Sequence, residues 1–410
     1  MTNISAQRGV NPVSRDPITI PVEELEGDPH RMFRLLRPAA PFVLRSDGVY
    51  IAMRAADVEK LATDPRTRQA ETELVRSRGV LDGPLFDFFS NTMLLSNGPD
   101  HRRRRAPVSR AFAFKLITGM RPRIRAIAND LIDRHYSSGE MRLIKDFAAP
   151  LPARVISEIL GIAETEIPRF TAHVYALARA LSAFSRDDVP VLEDAAREML
   201  NYADDLLQGR RARPANDFLS AYVRALDDSE KLSATETLVQ IVTLILAGSD
   251  TTRAAIPIQA SLLLQHPEQW NAVCQDPTLI PGAVAESLRY EPSVGSFLRF
   301  TLDDIEIDGC VVPRNNMLSL STLAAMRDPA SYSEPDVFDI RRTDHPRKHM
   351  VFGIGVHRCL GEVLAAAELE ESLAALAARL PNMKFAGDPP IVRGSGGIRT
   401  VTEMRVRWPT

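Results

Sequence analysis

The chain has 410 residues, 50 of them basic and 53 acidic, with a formal net charge of −3. Such a balance excludes a general nucleic-acid binder and leaves room only for a local basic patch, while the length suits one large domain or two ordinary ones. Three scattered cysteines, Cys274, Cys310 and Cys359, exclude a disulfide framework and fit a reducing, cytoplasmic setting.

Residues 1–28 contain no apolar run near the roughly 20 residues that span a bilayer and no signal-peptide core; a poorly structured arm with no membrane anchor is expected there. Phe42–Met53 (FVLRSDGVYIAM) reads as a hairpin turning at Asp47-Gly48. Helical periodicity comes next over Met120–His135 and Val191–Gln208. Gly209–Asp217 (GRRARPAND) reads as a surface loop rather than a domain boundary. Ser233 and Glu236 in SATE form a capping box ahead of a long apolar helix. Asp303–Pro313 predicts a second hairpin, turning at Asp308-Gly309. Leu360–Leu380 predicts a helix that stops at Pro381, which cannot continue it, and Gly396–Trp408 predicts a third strand pair. With no internal repeat and no low-complexity linker, a single domain over residues 1–410 is expected, mainly α with small β-sheets to one side.

Lys348–Glu362 (KHMVFGIGVHRCLGE) sets two glycines and a histidine before one cysteine and a leucine-rich helix after it. Cys359 admits several readings. A buried core thiol is the commonest fate of an intracellular cysteine. A zinc ligand needs more donors than His349 and His357 offer, and a nucleophile needs a base that the flanking residues do not supply. A thiolate ligand to haem iron accounts for more of the residues. Glycines at 353, 355 and 361 would admit backbone amides close to the sulfur, and the start of the next helix would add partial positive charge beside it.

Phe352–Gly361 (FGIGVHRCLG) resembles, position for position, the haem-binding loop of the cytochrome P450 family, whose pattern is Phe-Gly-x-Gly-x-His/Arg-x-Cys-x-Gly. The likeness runs from about Pro29 to Trp408 and is strongest toward soluble bacterial members. It implies the triangular, prism-like P450 fold, with haem b between the long helix and the cysteine loop. Cys359 would be the axial ligand, with Phe352 and Gly361 in the haem-binding loop. Glu286 and Arg289 in AESLRYEP would alone be an ordinary i,i+3 surface pair; the resemblance makes them, with Arg342, a structural lock. It also implies that His101 and Arg105, one helical turn apart, hold the haem propionates together with Arg299, His349 and His357, each carboxylate gaining charge-assisted bonds. Leu244–Pro257 (LILAGSDTTRAAIP) is mostly a buried apolar helix, but Gly248, Asp250, Thr251 and Thr252 are costly in a helix interior. They resemble the family's oxygen-binding motif. Ala247 and Gly248 would border the haem, with Gly248 permitting a local bulge. Thr251 would hydrogen-bond the activated oxygen and Asp250 would relay protons from solvent, while Pro257 would kink the helix further on.

The implied activity is a haem-thiolate monooxygenase that uses O2 to hydroxylate a small to medium hydrophobic substrate. Pocket positions carried over are Leu94, Leu246, Ala247, Val294, Gly295, Phe297 and Ile398, none of them charged, with the aromatic-rich Pro84–Met93 as a candidate lid. Because the chain holds no flavin or iron–sulfur segment, electrons are expected from NAD(P)H through an acidic ferredoxin. It would dock on the monomer at Arg102, Arg103, Arg104, Arg110, Arg347, Lys348 and Arg358. A peroxide-driven haem enzyme or a non-catalytic haem sensor would need no proton relay, so the Asp250-Thr251-Thr252 run argues against both.

Overall fold

The computed structural model describes residues 16–112, 119–181, 184–227, 231–346 and 349–410. Six helices accompany the first strands: α1 (Val22–Gly27), α2 (Pro29–Leu36), α3 (Ala55–Leu61), α4 (Glu73–Ser77), α5 (Gly83–Asn91) and α6 (Gly98–Ala111). The middle of the chain is helical, with α7 (Arg121–Tyr136), α8 (Pro150–Leu160), α9 (Ile167–Ala178), α10 (Val189–Ala212) and α11 (Phe218–Asp227). The long α12 (Ala234–Gln265) leads to α13 (Pro267–Gln275), α14 (Ile280–Tyr290), the single turn α15 (Thr322–Ala325) and α16 (Glu362–Arg379).

The capping box expected before α12 is formed reciprocally. Ser233 Oγ accepts the Glu236 N–H at 3.1 Å, and Glu236 Oε2 accepts the Ser233 N–H at 2.8 Å. From there 32 residues run as one helix through Pro257, whose missing N–H leaves the Arg253 carbonyl without its helical donor. A helix apolar all round belongs in a core, and α12 is covered by α5, α8, α10, α14 and α16. Among the described residues it is the one helix long and apolar enough to cross a membrane, and most of that apolar stretch is buried inside the molecule. The last long helix, α16, packs on α7 and ends as expected just before Pro381.

The first four strands are β1 (Ile18–Ile20), β2 (Phe42–Arg45), β3 (Tyr50–Ala52) and β4 (Thr67–Gln69). They join β6 (Ser296–Thr301) and β9 (Met317–Ser321) in one sheet of order β1-β2-β3-β9-β6-β4. Between α7 and α8, β5 (Glu140–Arg142) stands alone in sequence. Both expected hairpins form. Phe42 pairs with Ala52, and β7 (Ile305–Ile307) pairs with β8 (Cys310–Val312) across a turn in which Asp308 and Gly309 take φ of 51° and 76°.

Three local expectations are corrected. Of the expected N-terminal arm, residues 1–15 lie outside the described residues. Residues 18–27 are no loose arm, because β1 pairs in parallel with β2, and Ile20 and Leu25 join a small core with Phe33, Val43 and Leu323. Residues 209–212 continue α10, and the loop begins only at Arg213. The tail strands β12 (Thr400–Val401) and β13 (Arg405–Arg407) do not pair with each other. Instead β12 takes β11 (Val392–Arg393), and β13 lies between β10 (Lys384–Phe385) and the distant β5. The ladder partner of β13 thus comes from far upstream, where no local pattern could announce it.

Candidate functional site

The loop before α16 is built around its glycines. Gly353 and Gly355 have φ of 79° and 70°, a region that side chains with a Cβ rarely enter. The turn they make lets the Cys359 N–H donate to the Phe352 carbonyl at 2.7 Å. Arg358 ties the loop from behind, donating to the Gly353 carbonyl at 2.8 Å and pairing with Glu362 in the first turn of α16. Cys359 is a free, exposed cysteine. The crowding of protein atoms around its sulfur pushes the thiol up, offset in part by the Gly361 N–H and by Arg105 and Arg358. The protein alone therefore favours the neutral thiol, and a bound cation would deprotonate it. Among the described residues no group of three His, Cys, Asp or Glu is placed to hold a metal, so an all-protein zinc site is not formed there.

Beside the loop stands a cluster of basic groups that no carboxylate among the described residues neutralises. His101 and Arg105 come from one face of α6, His357 from the loop and Arg299 from β6. The His101 and His357 rings lie 4.0 Å apart, and Arg105 reaches the Arg358 carbonyl at 2.7 Å. Arg299 is buried with no acidic partner among the described residues, and burial lowers it to about 10. His101 is lowered to about 4 by burial and then by Arg105 and Arg102, and its buried Nε2 has no partner among the described residues. His357 falls to about 3, again through burial first and then His101, Arg299 and Arg105. Two histidines held neutral beside two arginines that lack a carboxylate partner among the described residues make a receptor for an anion. A haem, with its two carboxylates and an iron needing one thiolate, fits that donor set. His349 is placed elsewhere. Its Nε2 hydrogen-bonds the Ala285 carbonyl at 3.1 Å, and burial beside His345 holds it near 4, so it ties the loop to α14. Phe352 packs against the core from the same loop.

On α12, Asp250 is buried and ion-paired with Arg253, whose Nε lies 2.7 Å from Oδ1. The second guanidinium donor falls on the same oxygen. Arg253 in turn lies over the Tyr175 ring of α9, 4.6 Å from its centroid. Thr251 is more open and donates to the Ala247 carbonyl at 3.1 Å. Gly248 lies in continuous helix rather than at a bulge, and a Cβ there would lie 3.0 Å from the Ile156 side chain of α8, so the glycine eases close helix packing. Sequence reasoning missed Glu368. It sits on α16, buried, and Thr252 Oγ1 lies 3.3 Å from its Oε2. Burial raises it to about 8 against the opposing Thr252 hydrogen bond. Its signal was a carboxylate standing between Leu364 and Ser372 at four-residue spacing on the buried face of the helix.

The Glu286–Arg289 pair is fully buried. Its two hydrogen bonds measure 2.7 and 2.8 Å, Arg342 Nε lies 3.2 Å from Glu286 Oε2, and the Asp339 N–H donates to Oε1 at 2.9 Å. Arg289 also holds the carbonyls of Met326 and Pro335.

The pocket positions divide. Val294 and Ile398 meet in an antiparallel bridge, and Phe297 is half-buried on β6. Ala247 is open and Leu94 is 40 % exposed, while Leu246 is sealed in the core. Gly295 serves backbone packing, since a Cβ would lie 2.8 Å from the Ser395 carbonyl oxygen. The candidate lid forms α5, with Leu85, Phe88 and Phe89 buried. The arginine run is corrected more sharply. Arg104 is buried and, with Arg103, pairs with Glu236 at the start of α12; it also donates to Ser96 Oγ at 2.6 Å. Arg358 is taken up by the loop and Glu362. Arg102 and Arg110 are exposed, and Arg347 and Lys348 lie outside the described residues.

A family model for cytochrome P450 matches residues 78–380. The plant-inducible cytochrome P450-pinF1 of Rhizobium radiobacter is 41 % identical over 393 residues, covering 96 % of this chain and 93 % of its own length. The 6-deoxyerythronolide B hydroxylase of Saccharopolyspora erythraea is 34 % identical over 356 residues, covering 85 % of this chain and 86 % of its own. Among solved structures, the myxobacterial cytochrome P450 CYP267B1 in complex with myristic acid superposes with a TM-score of 0.86 at 33 % identity, covering 95 % of this chain and 98 % of that one.

Proposed function

The chain belongs to the cytochrome P450 family as a haem-dependent monooxygenase, and from that premise we propose that it oxidises a small to medium hydrophobic substrate with electrons from an acidic ferredoxin. The observation that supports the site reading most is one exposed thiol, Cys359, beside four basic groups that lack a carboxylate partner among the described residues: His101, Arg105, Arg299 and His357. Cys359 would hold the haem iron and the basic groups its carboxylates; when bound, haem supplies the activation of dioxygen.

The chain's own residues do the rest. Asp250 keeps both Arg253 donors on Oδ1, so Oδ2 is the oxygen through which it would pass a proton. The Thr251 hydroxyl, bonded to the Ala247 carbonyl, would rotate to hold that proton above the pocket. Glu368, kept protonated by burial, would stand behind Thr252 as a second internal proton source. Val294, Phe297 and Ile398 would exclude water and orient an apolar substrate, and none of them offers a charge to a carboxylate or amine. One solved relative holds myristic acid, and the long alkyl chain of that ligand supports an apolar pocket. For the ferredoxin, exposed Arg102 and Arg110 would frame the exposed Val356 and Val363 of the cysteine loop and α16.

The test is the reduced, carbon-monoxide-bound spectrum of the haem-loaded protein. A thiolate-type Soret band is expected, and Cys359→Ser should abolish it while keeping the helical circular dichroism; a band unchanged in that variant overturns the ligand assignment. Turnover of NADH with a ferredoxin and its reductase, absent when the ferredoxin is omitted, checks the partner.

A further inference from the structure

We propose that Glu291 and Arg399 are positioning residues for the substrate pocket, holding Val294 and Ile398 in register across the two chain segments that carry them. That role rests on Val294 and Ile398 lining the pocket.

Glu291 lies just past α14 and outside the Glu286 lock, yet three basic side chains from distant parts of the chain converge on it. Arg399 Nη1 bonds Oε1, His30 Nε2 of α2 lies 2.8 Å from Oε2, and Arg327 Nη2 lies 3.5 Å from Oε2. Arg399 is 2 % exposed, and its other contacts go to the Gly394 carbonyl at 2.7 Å and the Pro292 carbonyl at 3.3 Å. Arginine is rarely so buried unless paired, and removing either member strands the other.

The same two segments are joined through their backbones. The Arg399 N–H donates to the Ser293 carbonyl at 2.9 Å, and the Gly295 N–H donates to the Gly397 carbonyl at 2.9 Å. Between these bonds sits the Val294–Ile398 bridge. The ladder is therefore very short, belongs to no named strand pair and runs beside Gly394, Gly396 and Gly397, and glycine-rich strands specify register weakly. A slip of one residue would turn Ile398 to the opposite side. What fixes the register is the pair of charges at its end. Gly394 and Gly397, with φ of 100° and 44°, shape the tail segment, and Gly295 lets it approach. Ser395 is tied to Glu26 of α1 at 2.6 Å, so the pocket edge is anchored on α1 and on α2 through His30.

Two iron-binding probes separate this role from general damage. Imidazole reads access to the iron; 4-phenylimidazole must also fit its ring into the pocket. In haem-loaded Glu291→Gln and Arg399→Gln, the dissociation constant for 4-phenylimidazole is expected to shift about tenfold or more relative to imidazole, with the imidazole value held within about twofold of wild type. Val294→Ala and Ile398→Ala should move the same ratio, which tests the pocket reading separately. If the alanine variants move it and the Glu291 and Arg399 variants do not, the positioning role is overturned while the pocket reading stands. If none of the four moves it, both fall. An equal shift for both probes in the charge variants marks damage at the iron and also overturns the proposal. Should Arg399→Gln fail to fold, Arg399→Lys and His30→Gln carry the same readout, and an unchanged ratio in both overturns it.

Discussion

Glu368 is a carboxyl with nowhere to place a charge: it is 1 % exposed, one hydroxyl faces it, and its Oε1 has no partner among the described residues. Its folded value near 8 lies above the ordinary 4.5, so the folded chain keeps a proton that the unfolded chain releases. The associated stability is complete below about pH 4.5 and is lost as pH rises through about 8. His101 and His349, held near 4 against an ordinary 6.5, act with the opposite sign at lower pH. Above about pH 6.5 they are neutral in both states. The expected result is a thermal midpoint that falls between about pH 6.5 and pH 8 in the wild type and falls less in Glu368→Gln, read by circular dichroism across that range. Thr251 gives a kinetic counterpart. Thr251→Ala should bind haem normally but lose product per NADH and release more hydrogen peroxide; coupling at the wild-type level would remove Thr251 from the proton path. Both hydroxyls were conspicuous in the motif, whereas the acid behind them was one of several in AELEES.

At the scale of an element, α6 shows how one helix divides its arginines. At 100° per residue, Arg102, Arg103, Arg104 and Arg105 cannot share a face. Arg105 reaches the cysteine loop, Arg103 and Arg104 pin the start of α12 through Glu236, and Arg102 is exposed. The two guanidinium groups, Arg103 first, lower Glu236 to about 2. Arg104→Ala is therefore expected to cost about 3 kcal/mol by stripping a buried carboxylate of one partner, measured by denaturant unfolding. Its ferredoxin KM should stay near wild type. Arg102→Glu should do the reverse, leaving stability unchanged while raising the ferredoxin KM at low ionic strength, with the difference fading as salt screens the surface. A ferredoxin KM that ignores both salt and Arg102 places docking elsewhere.

Over the whole molecule, the Glu286–Arg289–Arg342 lock joins α14 to the irregular segment that approaches the cysteine loop. Both members of the central pair are 0 % exposed, so each depends on the other for its charge. Glu286→Ala should cost about 3–5 kcal/mol, a large share of the roughly 5–15 kcal/mol typical of a folded domain. Loss of haem-loaded protein on expression and a lower unfolding temperature would register it, and a variant as stable as the wild type would contradict the lock.

The sequence by itself determined what local chemistry dictates. Ser233 and Glu236 set where α12 begins, Asp47-Gly48 and Asp308-Gly309 set two turns, and the glycines around Cys359 set a loop that only glycine permits. It also held the family's motif residues in order. Partnership across distance was decided only by the tertiary structure. Gly248, expected at a bulge, lies in continuous helix against Ile156, Arg104 looked like surface charge and proved to be a buried tie, and His349 hydrogen-bonds the Ala285 carbonyl of α14 through Nε2. Residues 18–27 looked loose until β2 gave β1 its hydrogen bonds. A side chain's type and spacing state what it can bind; burial and the groups that folding brings beside it settle what it does bind.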